Sequence, residues 1–248
     1  MSFENRIEAI VDDREHGSSV LVERICSAFE SLAQSDGNRE RLHWAFRELR
    51  RVDSSMVVVH HFLDTLEPYI DADFFDRLAA YVAHWEGVEV DIAERLLKAQ
   101  KLEGKTLLTH SHSGTLVAVI SELARQLKDL RVLQTRSEPG GEGERQYREL
   151  KDRGITVELI DDDQVAERVG DLDAALLGAD QYTDETFVNK RGSAAIVDTL
   201  AARDKPTYVL TDSRKKVTTL DFSGELFEAC TIGPSVHLVT EGRRQRIQ

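Results

Sequence analysis

The sequence predicts an α/β protein in which an N-terminal helical domain precedes a domain with a mostly parallel sheet. Residues 3–101 show only the helical spacing of apolar residues, whereas after Gly104 short apolar runs alternate with helical segments. Because a helix between two strands carries the chain back to start a parallel neighbour, this alternation is typical of a Rossmann-like sheet. We therefore expect a helical domain over residues 1–103 and a Rossmann-like ligand-binding domain over residues 104–248.

The helices of the first domain are predicted from apolar residues that recur every three or four positions. Gly17 and the two serines after it supply a stop and then an N-cap between the first two helices. The first two helices are predicted from the apolar faces Ile7, Ile10 and Val11, and Val20, Leu21, Ile25, Phe29 and Leu32. The other predicted helical segments are residues 39–50, residues 54–66, and residues 74–100 with a break near Gly87.

The strands of the second domain are predicted from short apolar runs between turn residues. An uncharged aliphatic run such as residues 174–177 suits a strand that is buried on both faces. The predicted strands are residues 106–109, 131–135, 156–160, 174–177, 207–211 and 236–240, with helices starting after Ser113, after Gly141, near Asp163 and near Gly192.

Composition limits the class of protein. Hydrophobic residues make up 41% of the chain, which excludes a mainly disordered protein. No apolar run approaches the roughly 20 residues of a membrane span, and residues 1–30 carry acids throughout, unlike a signal peptide. Cys26 and Cys230 lie far apart and match no zinc spacing, so neither a disulfide nor a structural zinc site is predicted. We expect a cytoplasmic protein that does not bind membranes.

The charge of the chain is strongly acidic. A formal net charge of −13 opposes binding to phosphate backbones, so we expect no direct contact with nucleic acid. Only 9 of the 32 basic residues are lysine, and an acidic, lysine-poor surface is typical of a salt-adapted cytoplasm.

Three segments at predicted strand ends carry the candidate site. Asp180 follows the strand over residues 174–177, where ligands bind in open α/β sheets. With Gly178, Asn189 and Lys190, this segment offers a carboxylate for proton transfer and an amine for a phosphate or carbonyl oxygen. The alternatives are a turn-capping aspartate and a salt bridge between Asp180 and Lys190.

The second segment passes from a strand into a helix through small polar residues: Thr109, His110, Ser111, His112, Ser113 and Gly114. Backbone N–H groups at such a helix start bind anions, and the alternative is simple N-capping by Ser111 or Ser113. The two histidines lack a third ligand nearby, so no metal site is predicted. No cofactor is expected either.

The third segment covers residues 135–143 and is rich in glycine, which permits close backbone approach to a phosphate. Arg136 is its candidate ligand-binding cation. The acidic residues Glu138 and Glu142 favour the alternative of a flexible surface loop.

Together these residues resemble the family that contains the α, β and δ subunits of eukaryotic translation initiation factor 2B, methylthioribose-1-phosphate isomerase and ribose-1,5-bisphosphate isomerase. The resemblance rests on the order and spacing of several motifs, and the composition adds a likeness to a haloarchaeal-type member. The motifs are residues 107–110 (LLTH), 178–180 (GAD), 189–192 (NKRG), 232–234 (IGP), 240–242 (TEG) and 13–19 (DREHGSS), which is similar to a Gly-Ala-Ser turn.

The resemblance implies an acid/base pair formed by a cysteine after the "TH" motif and the aspartate of "GAD". Asp180 stands at the aspartate position, but Ser111 stands at the cysteine position. A serine hydroxyl is a much poorer proton donor than a thiol with a pKa of about 8.5. His110 or His112, with an imidazole pKa of about 6.5, could take over the acid role. The candidate catalytic residues are therefore Asp180, Ser111 and His112.

A second departure concerns phosphate binding. The isomerases carry an arginine before the loop proline and a glutamine before the last glycine, where this chain has Glu138 and Glu142. Two carboxylates repel a phosphate dianion unless Arg136, Arg145 or Lys190 compensates for their charge.

Three functions follow from this comparison. The first is a non-catalytic factor 2B-like subunit that binds a nucleotide or sugar phosphate and acts through protein contacts. We expect it to form homo-oligomers, and a dimer is the first expectation. The second is an aldose–ketose isomerase acting on a phosphorylated ribose through Asp180. The third is a structural subunit whose pocket has become inert.

Overall fold

The computed structural model describes residues 1–14, 16–34 and 38–242, and it divides the chain into two compact units. The first unit covers Met1–Glu86 and the second begins at Gly87. No helix within these described ranges combines the length and the apolar composition that a membrane crossing requires.

The first unit is a helical bundle with an aromatic core. Phe29 lies near its centre, with ring centroids 5.7 Å from Phe46, 6.1 Å from Phe62 and 5.1 Å from Phe74. Such ring pairs stabilise a core beyond the area that they bury. The helices are α1 (Phe3–Val11), α2 (Ser18–Ala33), α3 (Arg39–Leu49), α4 (Val57–Leu66) and α5 (Phe74–Trp85).

The predicted start of α4 at residues 54–55 is wrong. The carboxylate of Asp53 accepts a hydrogen bond from the backbone N–H of Ser55 at 2.9 Å, which forms a turn before the helix begins at Val57. Aspartate side chains commonly compete with helices in this way. The predicted break near Gly87 is confirmed, because Gly87 has a φ of 70° between α5 and α6 (Val88–Ala99).

The second unit contains a six-stranded parallel sheet. All six predicted strands are present, and the last two end one residue earlier than predicted. Their bounds are β1 (Thr106–Thr109), β2 (Arg131–Thr135), β3 (Thr156–Ile160), β4 (Ala174–Leu177), β7 (Thr207–Leu210) and β9 (Val236–Val239). Their order in the sheet is β3-β2-β1-β4-β7-β9.

The helices of this unit begin where the sequence predicts. They are α6, α7 (Gly114–Gln126), α8 (Glu142–Asp152), α9 (Val165–Arg168, after a short 3-10 turn at Asp162–Gln164) and α10 (Ser193–Ala201). Helix α6 belongs to this unit, although it lies before residue 103, where the sequence predicts the domain boundary. That boundary stays a prediction.

A second, antiparallel sheet was not predicted. It has the order β5-β6-β8, with β5 at Gln181–Tyr182, β6 at Thr186–Lys190 and β8 at Phe227–Thr231. Strand β5 is only two residues long and β6 ends in polar residues, so neither shows the apolar run of a buried strand.

The order of the parallel sheet places a crevice between β1 and β4. From β1 the chain moves outward to β2 and β3, and then returns to β4 on the other side of β1. Ligands in open α/β sheets bind beyond the carboxyl ends of strands at such a reversal. The three predicted segments follow β1, β2 and β4, so the fold places them on this edge.

Candidate functional site

Short contacts join the three predicted segments. A Cβ atom built on Gly178 lies 3.3 Å from Ser113 Oγ, which brings the end of β4 against the start of α7. His110 contacts the backbone oxygen of Arg191 at 2.8 Å. Lys190 donates to the backbone oxygen of Pro139 at 2.6 Å. The structure thus brings together the segments that the sequence selected.

His110 is a buried, neutral histidine. Its Nε2 lies 2.8 Å from the carbonyl oxygen of Arg191, which can only accept, so Nε2 carries the proton. Nδ1 then accepts from Thr135 Oγ1 at 2.6 Å. Burial lowers the pKa of the His110 imidazole, against the opposing hydrogen bond to Arg191. Both ring nitrogens are therefore engaged by the protein.

Ser111 is held through its backbone. Its N–H donates to Ser137 Oγ at 2.6 Å and its carbonyl oxygen accepts from Gln134 Nε2 at 3.1 Å. The residue has a φ of 65°, a left-handed conformation that is uncommon for a residue with a side chain. The half-buried hydroxyl stands where the resemblance implies a cysteine, and the ring nitrogens of the neighbouring histidines are bound elsewhere, to Thr135 and Arg191 and to Glu149.

Two buried glutamines that sequence reasoning missed support these loops. Gln146 Oε1 accepts from the backbone N–H of Ser113 at 2.9 Å, and its Nε2 donates to Thr109 Oγ1 and to Gln134. Ser113 in turn caps α7, whose first residue is Gly114, by accepting from Leu116. Polar residues at inward positions of β2 and α8 were the available signal.

His112 pairs with the second turn of α8. Its Nε2 lies 3.1 Å from Glu149 Oε1, which also accepts from Arg145 Nε at 3.1 Å. Burial lowers the pKa of the His112 imidazole, partly offset by the Glu149 charge. Both His112 and Arg145 are therefore bound to Glu149.

The glycine loop after β2 is held by carboxylates of the protein. Asp162 accepts from the backbone N–H groups of Ser137 and Glu138 at 3.0 and 2.9 Å. Arg136, the predicted ligand-binding cation, donates to Asp161 at 2.6 Å and to Glu144 at 2.5 Å. Arg136 and two backbone N–H groups of this loop are thus bound to aspartate and glutamate.

Lys190 is also paired within this loop. Its side chain is 1% exposed, and Nζ donates to Pro139 O at 2.6 Å and to Glu142 Oε1 at 2.7 Å. The alternative of a salt bridge between Asp180 and Lys190 is therefore wrong, because the path of the loop brings Glu142 to the ammonium group. Neighbouring Asn189 donates to Ser193 Oγ at 2.9 Å, at the first turn of α10.

Asp180 differs from the other candidates. Its backbone N–H donates to Val188 O at 2.8 Å, but within the described ranges its half-buried carboxylate has no hydrogen-bond or ion-pair partner. Burial raises the pKa of the Asp180 carboxyl, against the attraction of the Lys215 ammonium. A carboxyl group of this kind is suited to proton transfer.

Lys215 is the principal residue that sequence reasoning missed. It is 7% exposed, and its Nζ donates to the carbonyl oxygen of Ala179 at 2.9 Å, next to Asp180. The turn Ser213–Lys215 that carries it is capped by Asp212, which binds Arg214. In sequence, residues 212–216 resemble an ordinary charged surface turn.

The "TEG" motif supports the same turn. Glu241 is buried and accepts from the backbone N–H of Ser213 at 3.0 Å. Burial tends to raise the pKa of neighbouring Asp212, but the charge and hydrogen bonds of Arg214 prevail and lower that pKa. The motif at the end of the chain thus positions Lys215 through Ser213.

The described part of the chain contains no group of three or more histidine, cysteine, aspartate and glutamate residues placed to hold a metal ion. In the motif over residues 13–19, His16 Nδ1 lies 2.9 Å from Asp13 Oδ2, while Glu15 lies outside the described residues.

The fold agrees with comparisons to known proteins. Residues 5–233 match the Initiation factor 2 subunit family, and the chain belongs to that family. It is 25% identical over 215 residues to a translation initiation factor eIF-2B subunit 2-like protein of Pyrococcus furiosus, covering 84% of this chain and 77% of that protein.

Other similarities include an enzyme and a solved structure. The chain is 31% identical over 115 residues to ribose 1,5-bisphosphate isomerase of Archaeoglobus fulgidus, but this covers 46% of the chain and only 35% of the isomerase. The crystal structure of the Pyrococcus horikoshii translation initiation factor eIF-2B superposes with a TM-score of 0.77 at 23% identity, covering 96% of this chain and 94% of that one. The predicted α/β fold is thus confirmed.

Proposed function

We propose that the chain is a non-catalytic, oligomeric member of the family, similar to a factor 2B subunit, which acts through protein contacts. The observation that carries this proposal is the absence of an acid at the position of Ser111. An aldose–ketose isomerisation by an acid/base pair needs a proton donor as well as the Asp180 carboxylate. Ser111 supplies only a hydroxyl, which donates a proton poorly at neutral pH.

The histidines do not replace that acid. His110 uses one ring nitrogen on Arg191 and the other on Thr135, and His112 is bound to Glu149. Burial lowers the pKa of both imidazoles, so both favour the neutral form near neutral pH.

The alternative is a sugar-phosphate isomerase, and Asp180 is the observation that favours it. A half-buried carboxylate without a partner, next to Lys215, costs stability and is typical of a functional position. It would serve as the base, with Ser111 or a water molecule as the donor.

Turnover decides between these functions. Purified protein in high salt should leave ribose 1,5-bisphosphate and 5-methylthioribose 1-phosphate unchanged, as followed by NMR of the sugar. Turnover that is lost in Asp180→Asn but kept in Asp184→Asn would overturn the proposal, because Asp184 is an exposed acid paired with Lys216 on the same segment.

Several properties stay predictions at this level. A homo-oligomer, with a dimer first, a small phosphorylated ligand and a cytoplasmic location are expected from the family resemblance, and salt adaptation from the composition. Light scattering of the purified protein at several salt concentrations measures its oligomeric state and its salt adaptation together.

A further inference from the structure

The buried ammonium group of Lys190 already has an anion. Lys190 is the cation of the "NK" motif, and its side chain reaches the glycine loop from the end of β6. Its Nζ is bound to Glu142 Oε1 at 2.7 Å and to Pro139 O at 2.6 Å. A cation buried to 1% exposure requires such a counter-charge, whether from a ligand or from the protein.

The position of Glu142 depends on a bare glycine in the same loop. A Cβ atom on Gly140 would lie 2.8 Å from Glu142 Oε1 and 3.0 Å from its carboxyl carbon, so the carboxylate folds over the place that a side chain would fill. Glu142 Oε2 is buried and makes no hydrogen bond. A phosphate dianion approaching Lys190 would therefore meet a carboxylate that is already bound to the ammonium group, and like charges at such distances repel strongly.

The surrounding donors do not offset that repulsion. Asp162 occupies the backbone N–H groups of Ser137 and Glu138, and Arg136 is bound to Asp161 and Glu144. An incoming phosphate would therefore have to displace a carboxylate from each of these groups.

We propose that Glu142 determines the ligand specificity of the crevice beside Lys190. Its carboxylate takes the place of a ligand phosphate on Lys190, so the crevice excludes phosphate dianions at that position. A ligand of this crevice then presents a neutral group, such as a hydroxyl, towards Lys190. This inference rests on the proposed function, in which the crevice serves no sugar-bisphosphate turnover.

Titration calorimetry with ribose 1,5-bisphosphate tests the inference on the full chain at one fixed salt concentration. Glu142→Gln keeps the side-chain shape and removes the charge, and it should bind at least about tenfold more tightly than wild type. Glu138→Gln removes a charge from the same loop but not from the Lys190 pair, and it should stay within about twofold of wild type. Adding Lys190→Met to Glu142→Gln should abolish the gain.

Two outcomes overturn the inference: Glu142→Gln binds no better than wild type, or Glu138→Gln gains as much, which would show a general charge effect. If Glu142→Gln does not fold, Glu142→Ala is tested instead, by the ratio of its binding affinity to that of wild type. The proposed function is judged separately, since it fails on turnover by wild type, whereas this inference fails on the ratio of binding affinities.

Discussion

The two halves of the crevice differ in how their polar groups are satisfied. In the first half, around the loops after β1 and β2, the buried histidine and the cations are bound by other residues of the protein: His110 by Thr135 and Arg191, Arg136 by Asp161, and Lys190, at the end of β6, by Glu142. One oxygen of this half, Glu142 Oε2, is buried without a hydrogen bond. In the second half, after β4 and β7, the Asp180 carboxylate has no partner within the described ranges, and buried Lys215 is bound only to a carbonyl oxygen there.

This difference follows the sequence. The first half contains the residues at which the resemblance implies a departure from the isomerase pattern, Ser111, Glu138 and Glu142, and there the protein's own carboxylates and hydroxyls bind its cations and donors. In the second half, Asp180 stands where the resemblance implies the "GAD" aspartate, and its half-buried carboxylate has no protein partner within the described ranges. Satisfied polar networks make a structure rigid, whereas a half-buried charge without a protein partner costs stability and is typical of a functional position. We therefore expect mutations in the first half to destabilise the protein and mutation of Asp180 to stabilise it.

The largest effect is expected from Gly143→Ala, which breaks the packing of the first half. A Cβ atom on Gly143 would overlap the backbone oxygen of Thr135 and lie 2.9 Å from Arg136 O, so α8 must move away from β2. Overpacking against backbone costs about 3 kcal/mol in the free energy of unfolding, measured by denaturant titration. Gly170→Ala is the matched control, because a Cβ there meets nothing within 4 Å, and it should change stability by less than about 0.5 kcal/mol. Equal stability of the two variants would contradict the packing described for Gly143.

A smaller effect is expected from His110→Gln, which removes a buried neutral imidazole. At pH 7.5 the variant should lose about 1–2 kcal/mol of stability, because Thr135 and Arg191 lose a hydrogen-bond partner. Burial holds the pKa of folded His110 below its unfolded value of about 6.5. The unfolded chain therefore binds a proton first, and wild type loses stability as the pH falls from about 7.5 towards 5.5.

Because His110→Gln lacks that proton site, its deficit relative to wild type should shrink as the pH falls. Denaturant titrations of both proteins across this range measure the change, and the contribution of His112 is common to both. His43→Gln, at an exposed histidine beside Asp71, is the control and should keep a stability close to that of wild type. A deficit that stays constant with pH would show that His110 is not held neutral.

The sequence was sufficient to predict the parallel sheet but not the partners within the site. Strands such as β4 are continuous aliphatic runs between turn residues, and this pattern follows from burial on both faces. The antiparallel sheet escaped prediction because β5 and the polar end of β6 are buried by tertiary contacts, which leave no periodic pattern.

The same limit applies to the side chains of the site. The sequence selected Lys190 and Asp180 as candidates, because polar residues after buried strands lie at the ligand-binding edge. It did not show that Glu142 pairs with Lys190, since that depends on the path of the glycine loop. Lys215 was missed because its contact with Ala179 O joins segments that are 36 positions apart in the sequence, and such a tertiary contact leaves no local pattern.

The smallest effect, and the one of opposite sign, is expected from Asp180→Asn. Burial raises the pKa of the Asp180 carboxyl, so the folded state binds its proton more tightly than the unfolded chain does. At neutral pH the ionised group therefore opposes folding, and wild type regains this stability as the pH falls towards the unfolded pKa of about 3.9. Asn removes the charge, and denaturant titration at pH 7 should show a gain of about 0.5 kcal/mol in the free energy of unfolding.

Asp184→Asn, which breaks an exposed ion pair with Lys216, is the control and should instead be neutral or slightly destabilising. A loss of about 1 kcal/mol or more in Asp180→Asn would mean that attraction to Lys215 outweighs the cost of burial, and the two halves of the crevice would then be satisfied alike.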